Sequence, residues 1–256
     1  MKPSKGTMTK FLVIFFTLVS LFGCTTTTTQ LNAIAMGDQK AVYEDGAKTV
    51  VSTRNSIIAV RTAQNSYSSD SRPSFIISFM NGSAEPVDFS TSNIKAEVAG
   101  KDLHVFTHQE MVDEVESKRK WAAFSAALTG MSQSLNAANA GNQYTYGNYT
   151  SNYSSMGYRA TGYGTYSSYT YNPAAAQQAQ TLANHQMAQN IAHINSGADV
   201  SLSRLSSEIL KRETVYPSQW YSGRIEIENP DTQSMLTISV KLPNEEHIFR
   251  FTQQHL

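Results

Sequence analysis

Short runs rich in apolar and β-forming residues, each bounded by polar turn residues, occupy two separate parts of the chain, residues 41–107 and 214–256. In the clearest case, Tyr221 to Glu228, Ile225 and Ile227 fall on one face and charged residues on the other, as in a strand with one solvated side. Short strands bounded by turn residues predict antiparallel sheets. Because the strands of residues 214–256 are too few to fold alone, we expect both parts to build one β-domain.

Residues 108–213, between these two parts, change to a helical period. The first predicted helix carries a residue of apolar type at alternating steps of three and four, at Trp121, Phe124, Leu128, Met131, Leu135 and Ala138. This is the spacing of a coiled-coil seam. A second helix is predicted to begin at Asn172-Pro173, an N-cap followed by proline, and to break at Ser196-Gly197. We expect the two helices to pack along the seam as an antiparallel hairpin.

The segment that joins the two helices, residues 141–172, has an unusual composition. It holds nine of the thirteen tyrosines of the chain among Gly, Ser, Asn and Thr, and Arg159 is its only charge. A segment this long without apolar periodicity is predicted to be a disordered tip. Tyrosine suits protein contacts and its ring stacks on sugars, so the tip is either a contact site or a solvated linker without a partner. The candidate residues for contact with a partner or glycan are Tyr144, Tyr146, Tyr149, Tyr153, Tyr158, Tyr163 and Tyr166.

A short pattern near the start of the second β-rich part resembles a known type of module. Thr214-Val215-Tyr216-Pro217, followed by Gly223 at the start of an apolar strand, is similar to a turn and strand of secreted immunoglobulin-like β-sandwich modules, although Ser218 stands where many of them have Gly after the Pro. The resemblance implies fold only. The predicted fold class is therefore α+β: an antiparallel, immunoglobulin-like β-sandwich interrupted by a helical hairpin with a Tyr/Gly/Ser-rich tip.

The amino terminus has the pattern of an export signal. Lys2, Lys5 and Lys10 precede an apolar run from Phe11 to Phe22, which is shorter than the about 20 residues needed to span a bilayer. The run ends in Leu21-Phe22-Gly23-Cys24, which resembles the lipobox of bacterial lipoproteins. The alternatives are a plain secretory signal or an anchor helix with an incidental cysteine.

The lipobox resemblance implies cleavage before Cys24, lipid on its thiol and a membrane as a partner through that lipid. Thr25 stands where an Asp would favour retention in the inner membrane, so the expected location is the cell envelope, at the outer membrane. The predicted segments are a signal peptide at 1–23, the lipidated cysteine with a flexible tether at 24–40, the sandwich at 41–107 and 214–256, and the helical insertion at 108–213.

Charge and cysteine content exclude some functions. The chain has 20 basic and 20 acidic residues, and residues 1–23 hold three Lys, so the mature chain has 20 − 3 = 17 basic against 20 acidic residues, a net charge of −3. This balance predicts no nucleic-acid partner. Cys24 is the only cysteine, so its lipidation leaves no thiol for a disulfide, a nucleophile or a metal.

The motifs of common catalytic and cofactor sites are missing from the sequence. His104 and His108 lie near Glu110, and His185 and His193 lie on a predicted helix, but no His-Glu-x-x-His, Gly-x-Ser-x-Gly or phosphate-loop motif occurs. We predict no catalytic residue, metal or cofactor. The leading hypothesis is a non-enzymatic envelope lipoprotein that acts through contacts with other envelope proteins. The alternatives are binding of peptidoglycan or polysaccharide through the tip, and a periplasmic hydrolase with an unmarked site, which a polar pocket with converging His and acidic groups would support.

Overall fold

The structure, a computed structural model, describes residues 27–44, 47–155, 158–230, 232 and 234–256. The predicted α+β class is confirmed, with mostly antiparallel sheets and two helices. The described chain divides into two compact units. The β unit combines the residues up to His108 with Glu208–Leu256, and the insertion is Gln109–Ser207. The predicted signal peptide and Cys24 lie outside the described residues.

The β unit contains two six-stranded antiparallel sheets, because its short apolar runs each supply one strand. In spatial order the first sheet consists of β5 (Ser66–Ser68), β1 (Thr28–Ile34), β16 (Glu245–His255), β15 (Leu236–Leu242), β8 (Ile94–Val98) and β9 (Lys101–Leu103). The second consists of β10 (Val105–Phe106), β14 (Trp220–Ile227), β6 (Ser74–Met80), β4 (Ile57–Thr62), β3 (Ala47–Thr53) and β2 (Lys40–Glu44). The strands that follow the insertion therefore occupy inner positions in both sheets.

A short third pairing joins β7 (Val87–Phe89) to β13 (Glu213–Val215), and a 3₁₀ helix spans Thr91–Asn93. The two large sheets share one hydrophobic core. The Phe75 ring of the second sheet meets the Phe251 ring of the first edge to face, with 4.9 Å between centroids. Alternate residues of inner strands such as β4, β6 and β15 point into this core, as the pleat of a strand requires.

The predicted flexible tether at 24–40 is wrong over part of its length, because Thr28–Ile34 forms strand β1. This strand pairs with β16 from Thr29 opposite His255 to Ile34 opposite Arg250. Leu31 and Ala33 are buried in the core. The sequence did not predict this strand because only two of its apolar residues alternate, next to a run of five threonines. The strand with which it pairs lies more than 200 residues away in sequence.

The insertion consists of two helices that flank a β-hairpin. Helix α1 is His108–Asn139, strands β11 and β12 are Asn142–Ser155 and Tyr158–Tyr171, and helix α2 is Pro173–Glu208. The predicted disorder of the tip is wrong for the described residues, because the two strands pair along their full length. The predicted break in α2 is also wrong. Gly197 lies within the helix in open space, and glycine there costs about 1 kcal/mol relative to alanine without ending the helix.

The two helices run antiparallel, but they do not pack along the predicted seam. Gly130 of α1 faces Met187 of α2, and closer to the hairpin the Gln180 side chain donates to the Ser134 hydroxyl. At the other end, Arg119 lies 3.6 Å from Asp199. In the halves of the two helices next to the hairpin, the buried residues are small: Gly130, Ala137, Ala176 and Ala183; Met111, Ala198 and Leu205 are buried in the other halves. Small residues allow the backbones to approach, so the large apolar residues of α1 are turned outward.

Candidate interaction surface

The β11–β12 hairpin forms because Tyr and Thr favour extended backbone and because its ends are fixed by hydrogen bonds. Its register is uninterrupted, from Asn142 opposite Tyr171 to Ser155 opposite Tyr158. At the base, the Asn172 amide donates to the Gly141 carbonyl over 2.7 Å, and the Tyr169 hydroxyl donates to Asn142 Oδ1 over 2.5 Å. Successive side chains therefore alternate between two faces of the ribbon.

One face of the hairpin, named here the tyrosine face, carries five tyrosines that are each more than half exposed: Tyr144, Tyr146, Tyr163, Tyr169 and Tyr171. Tyr146 and Tyr163 are the most exposed, at 78% and 83%. The Tyr144 and Tyr169 rings lie opposite each other with centroids 5.0 Å apart. This face offers aromatic surface and hydroxyl groups, and the sequence of the hairpin holds no acidic or basic residue before Arg159 near the turn.

The opposite face pairs two tyrosines with two glycines. Tyr149 lies across the strand from Gly164, and Tyr166 lies across from Gly147. A β-carbon at Gly147 would overlap the Tyr166 ring, and one at Gly164 would come within 2.6 Å of the Tyr149 ring. Each ring therefore covers the backbone of the facing glycine, an arrangement that offsets the weak strand preference of glycine. Tyr149 and Tyr166 stabilise the hairpin, which leaves the tyrosine face as the candidate contact surface.

The candidate residues from the sequence thus divide into three groups. Tyr144, Tyr146 and Tyr163 share the tyrosine face, whereas Tyr149 and Tyr166 lie on the opposite face. The side chains of Tyr153 and Tyr158, like Cys24, lie outside the described part of the structure. Tyr169 and Tyr171, which were not among the candidates from the sequence, are two further members of the tyrosine face. Their two-residue spacing, which matches that of Tyr144 and Tyr146, was the available signal.

A second exposed surface lies on α1. The predicted seam residues Trp121, Phe124, Leu128, Met131 and Leu135, named here the outer stripe, are each more than half exposed. Gly130 is two residues from Leu128, which is about 200° around an α-helix, so the buried face and the stripe lie on opposite sides. The seam prediction is wrong for packing within the chain, because the small residues pack instead. Ala138, the last predicted seam residue, is also exposed.

The β unit contains one polar cluster that bears on the hydrolase hypothesis. His247 is fully buried; its Nδ1 lies 2.9 Å from the Ser52 hydroxyl and its Nε2 lies 3.5 Å from Glu245 Oε2. Burial lowers the pKa of His247, while the negative charge of Glu245 acts in the opposite direction. The Glu245 oxygens also accept the Asn55 and Ser56 amides, each over 3.0 Å.

This cluster has the geometry of a structural cross-link between the sheets. Ser52 lies on β3 and His247 on β16, and the two side chains have almost no exposed area. Glu245 lines a surface depression of about 380 Å³, but its carboxylate is occupied by two backbone amides. A nucleophile and base must reach a substrate, and neither Ser52 nor His247 is placed to do so.

Among the described residues, no group of three or more His, Cys, Asp or Glu side chains is arranged to hold a metal ion. In the same part of the chain, none of the helices combines the length and the apolar character that crossing a membrane requires. His185 and His193 are exposed on α2. His108 is partly buried, and burial together with the positive charge of Lys211 lowers its pKa.

No known protein family, curated protein or solved structure matches this chain.

Proposed function

We propose that this chain is a non-enzymatic lipoprotein of the bacterial cell envelope that acts as an accessory or scaffold subunit through protein contacts. The observation that carries the proposal is the tyrosine face: five exposed tyrosines on one side of a hairpin whose only charged residue is Arg159 near the turn. Tyrosine offers a large contact area at a low cost in conformational entropy, and it is enriched at protein interfaces. The main polar cluster of the β unit, around His247, is committed to joining the sheets.

The proposed anchor is lipid on Cys24, at the outer membrane. The basic residues, the short apolar run and the Leu21-Phe22-Gly23-Cys24 sequence support it. Growth with a labelled fatty acid such as palmitate tests it, because the wild-type chain is expected to incorporate label and a Cys24→Ala chain is not. Label on the Cys24→Ala chain would defeat the lipoprotein proposal.

The contact role is tested by deleting residues 143–171 and comparing the proteins that co-purify with the full-length chain. A finer variant changes Tyr144, Tyr146 and Tyr163 to Ser. Its matched control changes Asn148, Thr150 and Thr165, which lie on the same face, to Ser. We expect partners to be lost with the tyrosine variant and kept with the control. Unchanged partners and phenotype after the deletion would remove the hairpin from the proposal.

A second candidate, binding of peptidoglycan or surface polysaccharide, is supported by the same exposed rings, because aromatic faces stack on sugars. The Tyr144 and Tyr169 pair, at 5.0 Å between centroids, offers a two-ring platform. A pull-down on purified cell wall distinguishes the two candidates. Binding that is lost when Tyr144, Tyr146 and Tyr163 become Ser would favour the glycan, and no retention of the wild-type chain on cell wall would exclude it.

We also propose that the β unit is a sandwich of immunoglobulin-like type. Two antiparallel sheets with a common core support this, as does the Tyr216-Pro217 turn before β14. An experimental structure tests the assignment through the order and crossing of the strands. The proposal concerns fold only, since a sandwich carries many unrelated functions.

A further inference from the structure

Both long edges of the β11–β12 hairpin are open in the described chain. The two strands form a sheet of their own, and each has 14 residues. An isolated two-stranded hairpin is only marginally stable in water, because neither face is covered and half of its backbone groups have no partner in the ladder. A hairpin of this length is therefore suited to receive a further strand at its edge.

The hairpin also lacks the features with which proteins block open edges. Charged residues, prolines and bulges discourage pairing between edges. The described strands contain no proline, their only charge is Arg159 beside the turn, and their register runs without a bulge. Apart from Arg159, the edges are long, regular and uncharged, so the described strands lack the features that discourage strand addition.

The outer stripe of α1 is a second, independent surface without a partner within the described chain. Its five large side chains repeat at steps of three and four and lie opposite the face that packs on α2. A stripe with this spacing packs best against another helix with the same spacing, because side chains of each helix then fit between those of the other. The partner that fits the outer stripe is therefore another helix with apolar residues at the same spacing.

The charge pattern selects the partner. From Trp121 to Ala198, Arg159 is the only Lys, Arg, Asp or Glu. An interface with a strongly charged partner would leave that partner's charges unpaired. A second copy of this chain matches both surfaces, because it brings an uncharged edge of the same β-forming residues and an apolar stripe with the same spacing.

We infer that the insertion self-associates, with the β11–β12 edge and the outer stripe of one copy contacting the insertion of another. This inference rests on the proposed function, since it concerns the same hairpin and uses the proposed membrane anchor. Copies tethered to one membrane point in the same direction, so the β11 edge of one copy meets the antiparallel β12 edge of the next. Such an interface joins two different patches and adds copies until the assembly closes.

The first test is the mass of the full-length chain extracted in detergent, measured by light scattering with the micelle contribution subtracted. We expect a mass of at least two protomers. Leu128→Glu with Leu135→Glu places two charges in the stripe and should reduce the mass to one protomer. The control is Asn136→Glu, which adds one charge of the same sign at an exposed position beside the stripe and should leave the assembly intact. Circular dichroism shows whether each variant retains its helices.

A monomeric wild-type chain would overturn the inference, and so would a stripe variant that keeps the wild-type mass. Either result leaves the proposed function standing if other proteins still co-purify in a manner that depends on the tyrosine face. If the other proteins no longer co-purify while the self-assembly persists, the contact role in the proposed function fails and the self-association stands.

The second test addresses the strand edge by disulfide formation in the membrane. One tagged full-length copy carries Thr145→Cys, and a second copy with a different tag carries Ser168→Cys or Thr170→Cys, which sample two registers on one face. Two tagged copies with Lys241→Cys, an exposed position on β15, measure random collisions. We expect one pairing to give several-fold more mixed disulfide than this control. Background levels in both would overturn the edge contact.

Discussion

Gly130 lies directly against Met187, so that a β-carbon at Gly130 would come within 2.5 Å of the Met187 sulfur. This contact fixes the side of α1 that meets α2, and it places the outer stripe on the opposite side. Gly130→Val should therefore lower the free energy of unfolding of the insertion by about 1–3 kcal/mol, as overpacking does in other cores. Chemical denaturation followed by circular dichroism at 222 nm measures the change.

The Met187→Ala variant supplies the control for this prediction. When it is combined with Gly130→Val, the shorter side chain on α2 leaves room for the introduced valine, so the combined cost should be smaller than the sum of the two single costs. Strict additivity would show that the two residues do not touch.

Gly223 marks a close approach of two backbones in the β unit. A β-carbon there would lie 2.6 Å from Leu210 Cα, beside the hydrogen bond from the Leu210 amide to the Arg224 carbonyl. Because a backbone cannot move aside as a side chain can, Gly223→Ala should destabilise the unit by about 2 kcal/mol. Gly197→Ala is the matched control, since it lies in open space on α2 and should gain up to about 1 kcal/mol. Equal effects of the two changes on thermal unfolding would refute the close approach.

Ser218 adopts a backbone conformation that glycine prefers. Its φ is 63°, and the Gln219 amide donates to the Tyr216 carbonyl over 3.0 Å, which closes a turn with Pro217 at its second position. A turn of this kind requires positive φ at its third position. Ser218→Gly should raise the free energy of unfolding by up to about 1 kcal/mol. Ser218→Ala keeps the β-carbon and should give no gain, and a gain of equal size from both changes would point to the hydroxyl instead.

The sequence allowed local features to be predicted where a short pattern determines them. The alternation around Ile225 and Ile227 predicts β14, and Asn172-Pro173 predicts the start of α2 at Pro173. Many of the similar modules have glycine after the proline of this turn. That pattern identified position 218, where the backbone of Ser218 has a positive φ. Each of these features depends on residues within one strand or turn.

The face of α1 that packs on α2 could not be predicted, because two periodic patterns compete on that helix. The large residues of the outer stripe have the spacing of a coiled-coil seam. However, the small residues Gly130 and Ala137 are also one heptad apart, and so are Ala176 and Ala183 on α2. The hairpin was missed because its pairs, such as Tyr149 with Gly164, join residues that have no apolar alternation. Only the register shows which residues face each other.

The buried His247 predicts a pH dependence of the β unit. Burial favours the neutral imidazole, so the pKa of His247 in the folded protein lies below its ordinary value of 6.5. The unfolded chain therefore binds more protons between these two values, and stability falls as the pH drops below about 6.5. Above that pH the contribution of His247 is constant. Urea denaturation between pH 8 and pH 5 follows the change.

His247→Gln removes this titration and should reduce the dependence of stability on pH, whatever its effect at pH 8, while His108, whose pKa is also lowered, keeps its own contribution. His193→Gln, a change at an exposed position on α2, should keep the wild-type slope. If the wild type and His247→Gln lose stability in parallel as the pH falls, the buried imidazole is not the cause.

The most direct test of the contact role is site-specific photocrosslinking in living cells. A photoreactive amino acid replaces Tyr146 on the tyrosine face or, as a control, Lys241 on β15, both of which are exposed. After irradiation, we predict a crosslinked product from Tyr146 and none above background from Lys241. Products from Lys241 with none from Tyr146 would contradict the central claim that the hairpin is the surface through which this protein acts.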